Sequence, residues 1–146
     1  MQNFNNYIVR IETLGCRLNQ IESESIAKVF SENKFSINMN SVSASETEND
    51  NVLLVIVNTC TVTQKSEQKA RRIIRLLLKK CPNALIVVTG CYAQLNSADI
   101  NNIDNRIICV GGQIKSRIKQ IPELLCQNIQ NNWNVENLKN TILNSI

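Results

Sequence analysis

Three of the chain's six cysteines, Cys16, Cys60 and Cys91, occupy the same context. Each stands just beyond an aliphatic stretch. Residues 7–13 (YIVRIET) run through Leu14 into Gly15-Cys16, VLLVIV from Val52 runs into Asn58-Thr59-Cys60, and ALIVVT from Ala84 runs into Gly90-Cys91. Thiolates brought together are soft ligands, suited to zinc, copper(I) or an iron–sulfur cluster. Histidine is absent, which excludes a Cys-His nucleophile pair and a Cys₂His₂ zinc site. There is no local C-x-x-C, so the spacing by itself says little. The repeated context is what points to ligands. A free cysteine is ordinarily a small buried hydrophobe, and that reading suffices for Cys109 inside a strand, Cys126 on a helix and Cys81 at a helix end. For Cys16, Cys60 and Cys91 it would have to explain three equivalent placements beside polar Asn19, Asn58, Thr59 and Gln94.

The elements that must position these thiols follow from the hydropathy pattern. Six consecutive aliphatic residues at 52–57 predict a strand buried on both faces, as in a parallel sheet. Two glycines, Gly15 and Gly90, stand immediately before a cysteine, where they allow a tight turn and close backbone approach. Residues 18–32 predict an amphipathic helix with Leu18, Ile21, Ile26, Val29 and Phe30 inward. Its free N–H groups and positive dipole end would face an anion held near Cys16. Residues 35–42 (FSINMNSV) read as a short strand near the sheet edge. Residues 43–51 (SASETENDN) read as a solvated connection, with one helical turn capped by Ser45 and Glu48.

Gln64–Lys80 is a strong helix with Ala70, Ile73, Ile74, Leu77 and Leu78 inward. Its other side carries Lys65, Lys69, Arg71, Arg72, Arg75, Lys79 and Lys80. Such a face is most often simply solvated; contact with RNA phosphates through Lys69, Arg72 and Lys79 is the sharper alternative. Cys81-Pro82 closes this helix. Residues 95–103 predict a short helix capped by Ser97, and residues 106–110 a last strand. Gly111-Gly112 then turn into a helix spaced by Ile114, Ile118, Ile121 and Leu125, which Pro122 breaks or restarts. Residues 127–146 are asparagine-rich, with Trp133, Val135, Leu138 and Ile142 as anchors. They read as a linker, or as a helix awaiting a partner, after a domain spanning residues 1–126.

Strands and helices alternate, with five strands in all. This predicts an α/β fold of the flavodoxin-like or Rossmann-like kind, a doubly wound, mostly parallel sheet in order 2-1-3-4-5 with helices on both faces. In that order the strands ending in Cys16, Cys60 and Cys91 are neighbours at the carboxyl edge, where such sheets bind ligands. Adjacent strands lie ~4.8 Å apart, so the three sulfurs could converge on one small cluster.

With 146 residues, one domain with its own core is expected. No apolar run approaches the ~20 residues of a membrane helix, and the first residues lack the basic start and apolar core of a signal peptide. A cytoplasmic protein is expected, in which cysteines serve as thiols or metal ligands. The net charge of +4 permits a nucleic-acid partner without demanding one.

The segments GCRLNQIESE, VNTCTVTQKSEQKAR and VVTGCYAQL resemble, in order, the three signature segments of the N-terminal domain of the methylthiotransferases. The resemblance covers roughly residues 7–120. It implies that Cys16, Cys60 and Cys91 ligate an auxiliary [4Fe–4S] cluster, leaving one iron open for the sulfur to be transferred. The wording TLGCRLNQ is most similar to the branch that modifies threonylcarbamoyladenosine in tRNA. The family's enzymes continue into a radical S-adenosylmethionine domain with a C-x-x-x-C-x-x-C motif and a second [4Fe–4S] cluster, usually followed by a small RNA-binding domain. There, one S-adenosylmethionine supplies the methyl group and a second yields the radical that activates adenine C2. That motif is absent here. The resemblance therefore implies a catalytically incomplete fragment, a monomer or weak dimer by itself, whose partners are tRNA and the missing radical domain. From another class, a flavodoxin-like carrier with a single reactive thiol, such as a phosphocysteine at Cys16, would exploit the helix N-terminus that follows. It accounts for one cysteine of the three.

Overall fold

The aliphatic run that begins at Val52 becomes the central strand because every one of its side chains can be buried, on one face of a sheet or the other. The structure, a computed structural model, describes residues 7–15, 17–59, 64–90, 93, 97–110, 118–128 and 135–144, with only the backbone described at 126–128. In chain order the elements are β1 (Ile8–Thr13), α1 (Arg17–Glu32), β2 (Ser36–Asn38), β3 (Val52–Thr59), α2 (Gln64–Lys80), β4 (Leu85–Gly90), α3 (Ser97–Asn101), β5 (Ile107–Val110), α4 (Ile121–Asn128) and α5 (Val135–Leu143). The five strands form one parallel sheet in the order β2-β1-β3-β4-β5. This is the doubly wound arrangement expected from the alternation of strands and helices.

Two apolar cores lie on opposite faces of the sheet. On the first, Ile26, Ala27 and Phe30 of α1, Ile121 and Leu125 of α4, and Leu138 and Ile142 of α5 pack on Val9, Ile11, Ile56 and Val87. Phe30 and Phe35 meet edge to face, with centroids 5.6 Å apart and planes at 75°, a favoured aromatic geometry. On the second, Ala70, Ile73, Ile74 and Leu77 of α2 and Ile100 of α3 cover Val55, Val57, Ile86 and Val88. Leu78 is only half-buried. The C-terminus of α2 is capped by Arg106, which donates to the carbonyls of Leu78 (2.7 Å), Cys81 (2.9 Å) and Pro82 (2.7 Å). A guanidinium there satisfies orphan carbonyls and suits the negative end of the helix dipole.

Several expectations are corrected. The strand expected over residues 35–42 is only Ser36–Asn38, because Asn38 Oδ1 accepts from the Asn40 N–H at 2.9 Å and turns the chain off the edge. The connection over residues 43–51 does more than meet solvent. Its turn is closed by Ser43 and Glu46, with the Ser43 N–H donating to Glu46 Oε2 at 3.1 Å, in place of Ser45 and Glu48. Val42 is buried, and Glu46 pairs with the buried Arg10 of β1 at 2.5 Å. This connection covers the part of the second face that α2 and α3 leave open. Of the two readings of Pro122, the restart is the one observed: it falls in the first turn of α4, where no N–H is needed. Within residues 127–146, α5 is part of the first core, its Leu138 and Ile142 fully buried, so it has its partner in this same fold. Ile114 and Trp133 lie outside the described residues.

The largest departure is in α1. Leu18 and Ile21, expected inward, are 65% and 54% exposed, and Val29 is half-buried. The buried stripe runs through Asn19, Ser23, Ile26, Ala27 and Phe30. Its first half is polar, and the reason lies at the ends of the strands beneath it.

Candidate functional site

The strand ends that carry the three candidate thiols are level. Thr13 pairs with Asn58, Asn58 with Thr89, and Thr59 with Gly90, on neighbouring parallel strands. The Leu14 N–H donates to the Asn58 carbonyl at 2.8 Å, carrying the ladder one residue past β1. Cys16 follows Gly15, Cys60 follows Thr59, and Cys91 follows Gly90. The three cysteines themselves, and Gln94, lie outside the described residues.

Both glycines use their conformational freedom. Gly15 has φ 121° and Gly90 φ 102°, in the left-handed region that side chains disfavour. At Gly90 the backbones also crowd. A Cβ there would meet the Thr59 carbonyl oxygen at 2.0 Å and Thr59 Oγ1 at 2.7 Å. The Gly90 backbone thus leaves no room for a side chain beside Thr59, immediately before Cys60 and Cys91.

A buried polar network joins these ends to α1. Asn19 Nδ2 donates to the Thr59 carbonyl (2.8 Å) and to Asn58 Oδ1 (3.3 Å). Asn58 Nδ2 donates to the Asn19 carbonyl (3.1 Å) and to Ser23 Oγ (3.2 Å). Thr13 Oγ1 donates to Ser23 Oγ (2.7 Å), and Thr59 Oγ1 to the Thr89 carbonyl (2.7 Å). The first turns of α1 are rotated so that Asn19 and Ser23 reach the sheet, since a buried amide or carbonyl left unpaired would cost about 1–3 kcal/mol. Leu18 and Ile21 are turned outward as a consequence. Asn19, Asn58 and Thr59 therefore stand together in one buried network. Ser23, Thr13 and Thr89 complete the set and were not singled out from the sequence.

The remaining cysteines fit their expected bland roles in part. Cys81 is buried in the second core, and burial raises its thiol pKa against the opposing pull of Arg10. Cys109 is only half-buried, which corrects its reading as an interior hydrophobe; its Sγ lies 3.8 Å from the Ser97 carbonyl, and desolvation pushes its pKa up to about 11. Both are neutral thiols near pH 7 and poor metal ligands in that form. Cys126 lies on α4, as expected, with its side chain outside the described residues. Among the described residues no three His, Cys, Asp or Glu side chains group to hold a metal ion. On α2, Lys65, Lys69, Arg72, Arg75 and Lys79 are exposed on the side away from the sheet, while Arg71 pairs with Glu67 at 3.5 Å. No helix among the described residues is long and apolar enough to cross a membrane.

Comparison with known proteins agrees with the residue pattern. Residues 8–112 match the model of the uncharacterized protein family UPF0004. The threonylcarbamoyladenosine tRNA methylthiotransferase MtaB of Treponema pallidum is 46% identical over 119 residues, which is 82% of this chain and 24% of the relative. The enzyme of the same name from Bacillus subtilis is 34% identical over 110 residues, 75% of this chain and 23% of the relative. A tRNA-2-methylthio-N(6)-dimethylallyladenosine synthase of Bifidobacterium longum is 35% identical over 127 residues, 83% of this chain and 24% of the relative. The chain spans about a quarter of the length of these curated relatives. With a family match that takes in every strand of the sheet and all three cysteine segments, the chain belongs to the UPF0004 family, the N-terminal domain of the methylthiotransferases.

Proposed function

We propose that this chain is the auxiliary-cluster domain of a cytoplasmic tRNA methylthiotransferase that places sulfur and methyl at C2 of a modified adenosine. A threonylcarbamoyladenosine substrate is favoured by the names of the Treponema pallidum and Bacillus subtilis relatives. The observation that carries the reading is the level set of strand ends at Thr13, Asn58 and Thr89, which brings the segments bearing Cys16, Cys60 and Cys91 onto three adjacent strands. The donor chemistry fits an iron–sulfur cluster: the cysteines supply soft thiolates, the chain has no histidine, and Thr59 and Gly90, which precede two of the cysteines, pair on adjacent strands. In this reading Cys16, Cys60 and Cys91 hold a [4Fe–4S] cluster, with Asn19, Asn58, Thr59 and Gln94 around them. When bound, such a cluster supplies an iron without a protein ligand, to which sulfur can attach. This chain's own residues fix the ligands, and the α1 network shields the sheet side of the site from water. The radical chemistry and S-adenosylmethionine belong to a separate domain, so this chain is catalytically incomplete without it.

Reconstitution with iron and sulfide under anaerobic conditions tests the assignment. Wild type should take up about four irons and absorb broadly in the visible, as expected of [4Fe–4S]. Alanine at Cys16, Cys60 or Cys91 should remove most of that iron, whereas Cys109→Ala and Cys126→Ala should not. Equal iron in all five variants, or a colourless wild type, would refute it; the colourless result would favour a carrier using Cys16 alone.

The exposed stripe of α2 supports a further element, contact of Lys69, Arg72 and Lys79 with tRNA phosphates. Replacing all three with glutamine in the full-length enzyme should weaken tRNA binding and lower the salt-dependence slope by roughly two to three. An unchanged slope would leave this face merely solvated.

A further inference from the structure

On the face covered by α1, α4 and α5, the last rank of side chains across the sheet is Thr13, Asn58 and Thr89, one rank above Ile11, Ile56 and Val87. Two members of this polar rank are engaged within the fold. Thr13 bonds Ser23, and the Asn58 amide bonds Asn19 and Ser23. Thr89 differs. Its side chain is fully buried, and Oγ1 has no hydrogen-bond partner among the described residues. Its neighbours in register are Asn58, committed to α1, and Val110, which has no polar side-chain atom. The Thr89 backbone is held in place, since its carbonyl accepts from Thr59 Oγ1 at 2.7 Å.

A buried hydroxyl with no partner is destabilising, and valine would fill the same space without it. Two residues on stands Cys91. We propose that Thr89 is a positioning residue for the cluster, its hydroxyl donating a hydrogen bond to a sulfur of the group held by Cys16, Cys60 and Cys91. This rests on the cluster assignment made above. A threonine hydroxyl carries one hydrogen to donate, and thiolate or sulfide sulfur is the electron-rich acceptor that such a site would supply. Donation to sulfur favours the reduced, more negative cluster and so raises its reduction potential, while also holding the sulfur in place.

Wild type, Thr89→Val and Thr89→Ser are compared with and without reconstituted iron and sulfide. Three quantities are read: the thermal midpoint of the metal-free protein, the cluster's reduction potential, and the rate of iron release to a chelator. Metal-free Thr89→Val should unfold at the same or a higher temperature than wild type. Loaded Thr89→Val should have a more negative potential and release iron roughly fivefold faster, the worth of one hydrogen bond. Thr89→Ser should restore both. A potential and release rate equal to wild type would overturn the proposal, as would a lower midpoint for metal-free Thr89→Val, which would mean that the hydroxyl serves the fold. Failure of wild type to load a cluster would instead refute the assignment on which the proposal rests.

Discussion

Gly90→Ala should destabilise the protein by about 3–5 kcal/mol, placing it among the most damaging single substitutions the fold can receive. Two effects combine. The residue sits at φ 102°, where an L side chain is strained, and the new methyl would lie 2.0 Å from the Thr59 carbonyl oxygen. That oxygen cannot swing aside, because it belongs to the last residue of β3 and accepts from Asn19 Nδ2 at 2.8 Å. Relief requires the β3 and β4 ends to separate or the residue-90 backbone to rotate away from its positive φ, and either disturbs the sheet edge. The thermal midpoint should therefore fall by roughly 10 °C or more. Adding Thr59→Ala removes the 2.7 Å contact with Oγ1 but leaves the backbone oxygen in place, so the double variant should not recover. Iron uptake should fall as well, although every cysteine remains, because the segments bearing Cys60 and Cys91 would be pushed apart. A loss under ~1 kcal/mol with normal iron uptake would show that this close approach is not maintained in solution.

The sheet was legible in the sequence because β3 and β4 are buried on both faces and are written as aliphatic runs with their polar residues at one end. The β-α alternation then leaves few topologies. In α1, Leu18 and Ile21 are apolar at helical spacing and so point inward by pattern, although both side chains are exposed. Ile26, Ala27 and Phe30 already define one stripe, and extending it backward at helical spacing reaches Ser23 and Asn19. A polar pair four residues apart on a core-facing stripe is the available signal that the helix meets polar groups there. Thr89 carries no such signal, since a threonine inside ALIVVT looks like any β-branched strand residue. Its distinction exists only in three dimensions, where neither Asn58 nor Val110 gives it a partner. Arg10 and Glu12 are a similar case. Alternation places them on the second face of β1, and only the folded connection over residues 39–51 shows what covers them.

That cover makes the second large prediction. Arg10 is 4% exposed and Glu46 28%. Arg10 Nη1 donates to Glu46 Oε1 at 2.5 Å and Nη2 to Oε2 at 3.2 Å, with a further bond to the Asn40 carbonyl at 3.1 Å. Removing the carboxylate would leave a buried guanidinium facing Glu12 as its remaining nearby anion. Glu46→Ala should therefore cost about 2–3 kcal/mol at pH 7, slightly less than a fully buried pair because Glu46 keeps some solvent. The pH dependence identifies the cause. The bond from Arg10 lowers the Glu46 pKa from 4.5, so its contribution is complete above the unfolded value and is lost as pH falls through the folded one. Glu12 shifts the other way. Burial raises its pKa, despite bonds from the Val42 N–H and Ser41 Oγ at 3.1 Å each, so its protonation below the raised value favours the fold. Glu12 is common to wild type and Glu46→Ala, so the difference between the two proteins mainly isolates Glu46. That difference should be largest at neutral pH and should shrink below about pH 4.5. Arg10→Met in the Glu46→Ala background should recover much of the loss, since the uncompensated charge is gone and an apolar side chain suits the second core. Urea unfolding of the three proteins from pH 3 to 8 measures both outcomes. A difference that stays flat across that range would mean that the charge of the Glu46 carboxylate, and with it the Arg10 pair, does not carry the stabilisation.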